Sequence, residues 1–241
     1  MSTSKFLISG FDTIECAYYL IGTDNYKLDF IELAAQKESM VRAKIIKPKP
    51  ILIGSEESLI ASHGTSSGYS FIIENDAFLI QFGEFNRPNF FVKFRSIALW
   101  HYGALALHNR FIAWAKSFGM MPYQPKRSSR VDYAFDYHLP VIDFDLDSFV
   151  TVAAKVNQHR KNRKVQTFNI GFDIIKLRVY DKVDEINEKS KKTWFFKLWG
   201  MDQDVWRIEW QIRKEQLRKL GISSFKSLNE RQGDVLHLLT K

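Results

Sequence analysis

RVDYAFDYH, residues 130 to 138, alternates without interruption. Arg130, Asp132, Asp136 and His138 occupy even positions, and Val131, Tyr133, Phe135 and Tyr137 occupy odd ones. In an extended chain this turns the charge to one side and the rings to the other. The stretch is therefore expected to be a strand with one packing face. A solvated strand face needs only small or neutral polar groups. Two carboxylates and an imidazole beside an arginine are instead the donor types that hold a divalent metal.

Two other stretches share this design. In KLRVYDK, Lys176, Arg178, Tyr180 and Lys182 point together, opposite Leu177 and Val179. In RIEWQIR, Arg207, Glu209, Gln211 and Arg213 oppose Ile208, Trp210 and Ile212. If these strands neighbour the first, their polar faces converge. Asp132, Asp136, His138 and Glu209 then become hard metal ligands or proton acceptors, surrounded by cations and holding one tyrosine. A plainly solvated sheet also carries charge, and cross-strand Asp–Arg pairs are common. The pattern alone leaves both readings open.

The chain has 241 residues, 45 % of them hydrophobic and 15 % aromatic, which supplies a sizeable core. No apolar run approaches the ~20 residues of a membrane span, and MSTSKFLISG lacks a charged leader followed by an apolar block. A cytoplasmic protein with no membrane partner is expected. The single cysteine, Cys16, excludes an internal disulfide and a cysteine-built zinc site, and reads as a buried thiol. Lys plus Arg number 35 against 27 Asp plus Glu, a net charge of +8 that favours a polyanionic partner, nucleic acid foremost. Basic residues crowd QHRKNRK (158 to 164) and NEKSKK (187 to 192), with Trp194, Trp199, Trp206 and Trp210 nearby. Rings beside cations suit single-stranded bases, although a tryptophan at strand or helix spacing is more often core.

Along the chain, FDTIECAYYL reads as a strand and LDFIELAAQKESMVRAK as a helix, closed by KPKP at 47 to 50. GYSFIIENDAFLIQFG forms a hairpin about Glu74, Asn75 and Asp76, and FFVKFRS adds a strand. Ser96 is placed as the cap of one long helix ending at Gly119. After the strand at 130 to 138 come an Asp-rich turn and a helix from Asp147 to His159, capped by Asp147. Strands at 165 to 171 and 176 to 183, a helix over 184 to 199, a strand at 205 to 212 and a helix ending at Gly221 follow, with a last helix after Asn229. The fold class is α+β: an antiparallel central sheet with packed helices, in two strand-helix-strand halves forming a pseudo-repeat. One catalytic domain, 1 to 241, is expected, with an N-terminal half 1 to 125 and a half 126 to 241 carrying the site. The alternation of Asp143, Asp145 and Asp147 is not a calcium loop, lacking its glycine and its twelfth-position glutamate. His63, His101, His108, His159 and His237 lack ligand spacing.

Several segments now occur in a telling order: GFDTIE, SGYSFIIEN, SIALWHYG, SRVDYAFDYH, IGFDIIKLRVYDK and VWRIEWQIRKEQLRKLGI. On these the chain resembles the replication initiation factor family of plasmids, phages and integrative elements, the rolling-circle initiators and related relaxases. The resemblance spans nearly the whole chain. It implies a site-specific single-strand DNA endonuclease and strand transferase, which nicks at an origin and stays joined to the 5′ phosphate through a tyrosine. The tyrosine so implied is Tyr180, and the acids are Asp132 and Glu209, with Asp136 a further candidate. His138, the strand's last residue, caps or lines the site. Related nucleases hold metal with two histidines one residue apart; no such pair occurs here, so carboxylates take that part and Mg²⁺ or Mn²⁺ is implied. The implied partners are single-stranded or cruciform origin DNA and a host helicase, since no Walker-type loop is present. A homodimer is possible, with no sequence feature for it. Ending soon after Leu239, the chain is expected to carry no further recognition domain.

The chemistry follows from the residue types as well. Cleaving a phosphodiester concentrates negative charge that a cation held by Asp132 and Glu209 would stabilise, shared with Arg178, Arg207 and Arg130. Tyr180 needs a nearby cation such as Lys182 or Lys176, or a base, to attack as a phenolate. The phosphotyrosine bond makes the step reversible. Tyr133 and Tyr137 lie on the packing face. The alternative function is a non-catalytic origin-binding protein.

Overall fold

The computed structural model describes residues 4–142, 144–161 and 163–239. Strand β1 (Lys5–Gly22) leads to helix α1 (Phe30–Arg42), then β2 (Lys49–Ile53), β3 (Glu56–Ile60), β4 (Phe71–Glu74), β5 (Phe78–Phe82) and β6 (Phe90–Phe94). Helices α2 (Ser96–Tyr102) and α3 (Ala104–Ser117) precede the long β7 (Met120–His138). Next come β8 (Val156–Lys161), β9 (Lys164–Phe172), β10 (Ile175–Asp181), α4 (Lys182–Glu185), a π turn (Ile186–Ser190) and α5 (Trp194–Trp199). β11 (Val205–Arg213), α6 (Lys214–Lys219), α7 (Phe225–Glu230) and α8 (Gln232–Leu239) complete the chain. It is a mixed α+β protein whose recorded strand ladders are all antiparallel, as the alternating patterns require.

Two compact units are built from non-contiguous chain. The first comprises Met1–Asp12 and Val131–Gln216, the second Thr13–Arg130 and Leu217–Lys241. The long strands β1 and β7 contribute a segment to each.

In the second unit the strands run β2-β3-β4-β5-β6-β1-β7. One sheet face carries Phe71, Phe78, Phe82, Phe90 and Phe94, all buried. Helix α3 lays Phe111 and Trp114 against it, α1 sets Phe30 over Phe71 and Phe82, and Phe225 of α7 stacks on Phe94. Fully burying each such side chain is worth roughly 1.5–3 kcal/mol, so this aromatic layer dominates the unit's packing. Beyond the β1–β6 ladder the Asn89 amide accepts from Leu20 N at 2.9 Å and donates to Leu20 O at 2.8 Å. A side chain thus continues where backbone pairing stops, leaving neither buried group unpaired. The sequence pointed to one helix from a Ser96 cap to Gly119. Instead Arg95 holds the cap position, and Gly103 at φ 79° breaks the run into α2 and α3. An open, unhindered glycine there lets the chain leave the helical region at little steric cost. Gly119, at φ 80°, does turn the chain out of α3, where an added Cβ would lie 2.2 Å from Asn25 O.

In the first unit the order is β1-β7-β11-β10-β9-β8. Phe168, Val179 and Trp206 form the core of one face, covered by Leu139, Ile142, Phe144, Leu146 and Phe149 from the segment after β7. The helix expected from Asp147 to His159 is absent. A 3-10 turn spans Leu146–Ser148, capped by Asp145 rather than Asp147, and β8 begins at Val156. The last part of that stretch falls in Val156–Lys161, which pairs with β9 instead of turning helical. Asp143 lies outside the described residues. The helix expected over 184–199 is likewise divided: Lys191, at φ 56°, ends the π turn before α5 begins.

His108 of α3 stands with Nδ1 2.9 Å from the Tyr18 hydroxyl, between the Tyr18 and Phe225 rings. Burial, and then Lys126, lower its pKa from 6.5 to about 4. Between those values the unfolded chain binds a proton that the folded one refuses, so stability falls as pH drops through this window. After discounting for partial exposure, the loss at pH 4 is on the order of 1–2 kcal/mol. Thermal unfolding at pH 7 and pH 4.5 should show it, and His108→Gln should shrink the difference between the two.

Candidate active site

The polar face of the first unit is not solvated. Asp132 and Asp136 of β7, Arg207 and Glu209 of β11, Tyr180 of β10 and Lys182 at the start of α4 are all buried. The β10–β11 register explains how they meet: Arg178 lies opposite Glu209 and Tyr180 opposite Arg207, and residues directly opposite share a face. Lys182 was read as the fourth polar residue of the strand, but β10 ends at Asp181, whose side chain accepts from Asp184 N and caps α4.

At the centre is Arg207, 0 % exposed. Its Nε and Nη2 donate to the two oxygens of Asp136 at 2.6 and 2.8 Å, a bidentate pair, and Nη1 donates to Asp12 Oδ1 at 2.8 Å. Trp199 Nε1 of α5 donates to Asp136 Oδ2 at 2.9 Å, and Lys192 Nζ reaches Asp12 Oδ2 at 3.3 Å. The guanidinium also lies 4.4 Å over the Phe195 ring, which stacks on Trp199. Helix α5 therefore roofs the charged layer with aromatic rings and ties down one carboxylate.

Beside this knot is a smaller set. The Tyr180 hydroxyl donates to Glu209 Oε2 at 2.8 Å, and Arg178 Nη2 donates to Glu209 Oε1 and lies 3.9 Å from Asp132 Oδ2. One guanidinium thus spans the two acids, and Arg178 Nε has no hydrogen-bond partner among the described residues. Lys182 Nζ pairs with Glu185 at 2.5 Å and lies 5.5 Å from the Tyr180 ring. Burial, and then the Glu209 charge, hold the Tyr180 phenol well above the usual tyrosine value, with Arg207 and Arg178 opposing. Burial and then Arg207 lower the Lys182 ammonium.

The structure brings Tyr180, Glu209, Arg178 and Asp132 together, with Lys182 alongside. It commits Asp136 and Arg207 to each other, with both Asp136 oxygens engaged. His138 closes β7 half-buried, with no hydrogen bond or ion pair to Asp132 or Glu209 among the described residues. Among those residues, no group of three or more His, Cys, Asp or Glu could hold a metal ion. The Arg178 guanidinium lies between Asp132 and Glu209, so those two acids share one positive group. Asp12 was not anticipated, whereas Lys192 and Trp199, read as part of a basic and aromatic surface, instead bond Asp12 and Asp136. The aspartate in GFDTIE, a charge between apolar Phe11 and Ile14, was the available signal for the first.

No protein-family model matches the chain, and no curated sequence matches it. A solved structure similar to it is the rolling circle replication initiator protein from Geobacillus stearothermophilus, with 16 % identity, a TM-score of 0.45, and coverage of 90 % of this chain and 77 % of that one. No helix among the described residues is long and apolar enough to cross a membrane.

Removing Arg207 leaves Asp12 and Asp136 facing each other in a buried layer. Arg207→Leu should cost about 3–5 kcal/mol in urea unfolding, and Arg207→Lys less, since one donor pair is lost but the charge stays. Tyr133 gives the opposite case: it is 0 % exposed, and its hydroxyl has no partner among the described residues. Tyr133→Phe should raise stability by about 1 kcal/mol in the same assay.

Proposed function

We propose that the chain is a site-specific single-strand DNA endonuclease and strand transferase that initiates rolling-circle replication or element transfer through a Tyr180 adduct. The observation that carries this reading is the 2.8 Å hydrogen bond from the Tyr180 hydroxyl to Glu209 Oε2, beside a guanidinium. A buried phenol held well above its usual pKa attacks poorly as a free phenolate. A carboxylate already in contact can take the proton as the phenolic oxygen attacks, the geometry a general base requires.

In the step, Tyr180 Oη forms a bond to phosphorus as its proton passes to Glu209, the bond from phosphorus to the 3′ oxygen breaks with its electron pair going to that oxygen, and the 3′ oxygen takes a proton from solvent water. Reversal reseals the strand without ATP, because the phosphodiester is exchanged rather than hydrolysed. Arg178 is the residue that would meet the phosphate: its side chain is 32 % exposed, whereas that of Arg207 is 0 % exposed. Arg207 acts as a positioning residue, holding β11 and hence Glu209. Lys182 adds positive potential near the ring. Asp132 and Glu209 would hold Mg²⁺ or Mn²⁺, which supplies Lewis-acid stabilisation of the phosphoryl oxygens when bound. The substrate is single-stranded or cruciform origin DNA in the cytoplasm, with unwinding left to a separate helicase.

A second reading, a binding protein without catalysis, is favoured by one observation: Tyr180 is only 8 % exposed. An end-labelled pool of randomised single-stranded 30-mers, incubated with Mn²⁺ or Mg²⁺ and run on a denaturing gel, separates the two. The wild type should form an SDS-stable adduct, Tyr180→Phe none, and Glu209→Gln should slow adduct formation by about 10²–10⁴-fold. An adduct with Tyr180→Phe removes Tyr180 as nucleophile. Nicked DNA free of protein points to attack by water, and bound but uncut DNA supports the second reading.

A further inference from the structure

The sheet of the second unit has another face. Along β4, β5 and β6 buried and half-buried residues alternate, the buried set being the phenylalanines under the helices with Ile73, Ile80 and Val92. The half-buried set points the other way: Ile72 and Glu74, Leu79 and Gln81, Phe91 and Lys93. Register carries this face onto β1, where Ala17 lies opposite Phe91 and Glu15 opposite Lys93, so Tyr19 projects on the same side.

Four aromatic rings with a cation gather there. Tyr19 meets Tyr123 of β7 edge to face at 6.2 Å, Tyr69 lies 6.4 Å from Phe91, and the Arg127 guanidinium sits 5.4 Å from the Tyr19 ring centroid. Tyr123 is 42 % exposed. On β1 and β4 the acids of this face lie against arginines, Glu15 3.7 Å from Arg130 and Glu74 2.5 Å from Arg95, which leaves Arg127 and Lys93 as positive charge beside the rings. Cross-strand aromatic pairs stabilise any sheet. That role needs neither the exposure of Tyr123 nor cations flanking the rings, and the combination matches base stacking with phosphate neutralisation.

We infer that this face is a stacking platform for single-stranded nucleic acid, with Tyr123 and Tyr19 receiving bases, Tyr69 and Phe91 extending the row, and Arg127 and Lys93 meeting the phosphates. The inference goes beyond the proposed tyrosine chemistry and stands or falls independently of it.

Fluorescence anisotropy of a labelled oligo-dT 20-mer with the full chain tests it. Tyr123→Ala and Arg127→Glu, both at exposed positions and checked by melting temperature, should each weaken binding at least about fivefold, in the range expected for one lost base stack or ion contact. Tyr123→Phe, which keeps the ring, should retain wild-type affinity, and a blunt duplex or an abasic oligomer of equal length should bind less tightly than oligo-dT. Unchanged affinity in both weakening variants overturns the platform, as does equal binding of the abasic oligomer. The adduct assay reads a covalent bond and this one reads reversible affinity, so failure of the platform and failure of the tyrosine chemistry are told apart by which readout is lost.

Discussion

A guanidinium with no solvent contact is tolerable only if its charge and donors are met inside the protein. Arg207 meets this condition through Asp136 on one side and Asp12 on the other, and the first unit is organised around that arrangement. The bidentate pair pins β11 to β7, Trp199 brings α5 onto the same carboxylate, and Phe195 lies against the guanidinium face. With β11 fixed, its register against β10 leaves Glu209 and Tyr180 in contact. The knot thus holds geometry, and the Tyr180–Glu209 hydrogen bond lies one residue pair away from it.

The same alternation of strand side chains is used differently in the two units. In the first, both sheet faces are covered: an apolar face by the segment after β7, a charged face by α4 and α5. In the second, one face receives the helices and their aromatic layer, and the other keeps rings and cations half-exposed. Burial strengthens electrostatics by excluding water, which suits bond-making, whereas exposure suits reversible contact with a long flexible polymer.

Much of the first unit was legible because a period of two is unambiguous when charges mark it. RVDYAFDYH, KLRVYDK and RIEWQIR are strands, and the antiparallel β10–β11 register sets Arg178 and Tyr180 against Glu209 and Arg207 as the alternation implies. What alternation cannot show is which acid meets which base. Asp136 looked equivalent to Asp132, yet both its oxygens are taken by Arg207 and Trp199, a partner more than 60 residues on in sequence. The helix expected after Asp147 failed for a related reason, since strand pairing between β8 and β9 is a tertiary choice that local propensity does not record. The β2–β3 hairpin, hidden beside KPKP, went unnoticed because its strands are short and its turn rests on a single glycine, Gly54, at φ 58°.

Asp12 and Arg207 are 195 residues apart in the chain, and Asp136 and Arg207 are 71 apart. β11 also takes an interior place in its sheet, between β7 and β10, although it is the last strand to be made. On the ribosome, then, Asp12, Asp132 and Asp136 stay hydrated until β11 emerges, while the local hairpins of β8, β9 and β10 can form early. Until that point the nascent chain carries Tyr180 without Glu209, the group in contact with its hydroxyl. The order of synthesis therefore keeps the tyrosine apart from its hydrogen-bond acceptor until the unit can close around both.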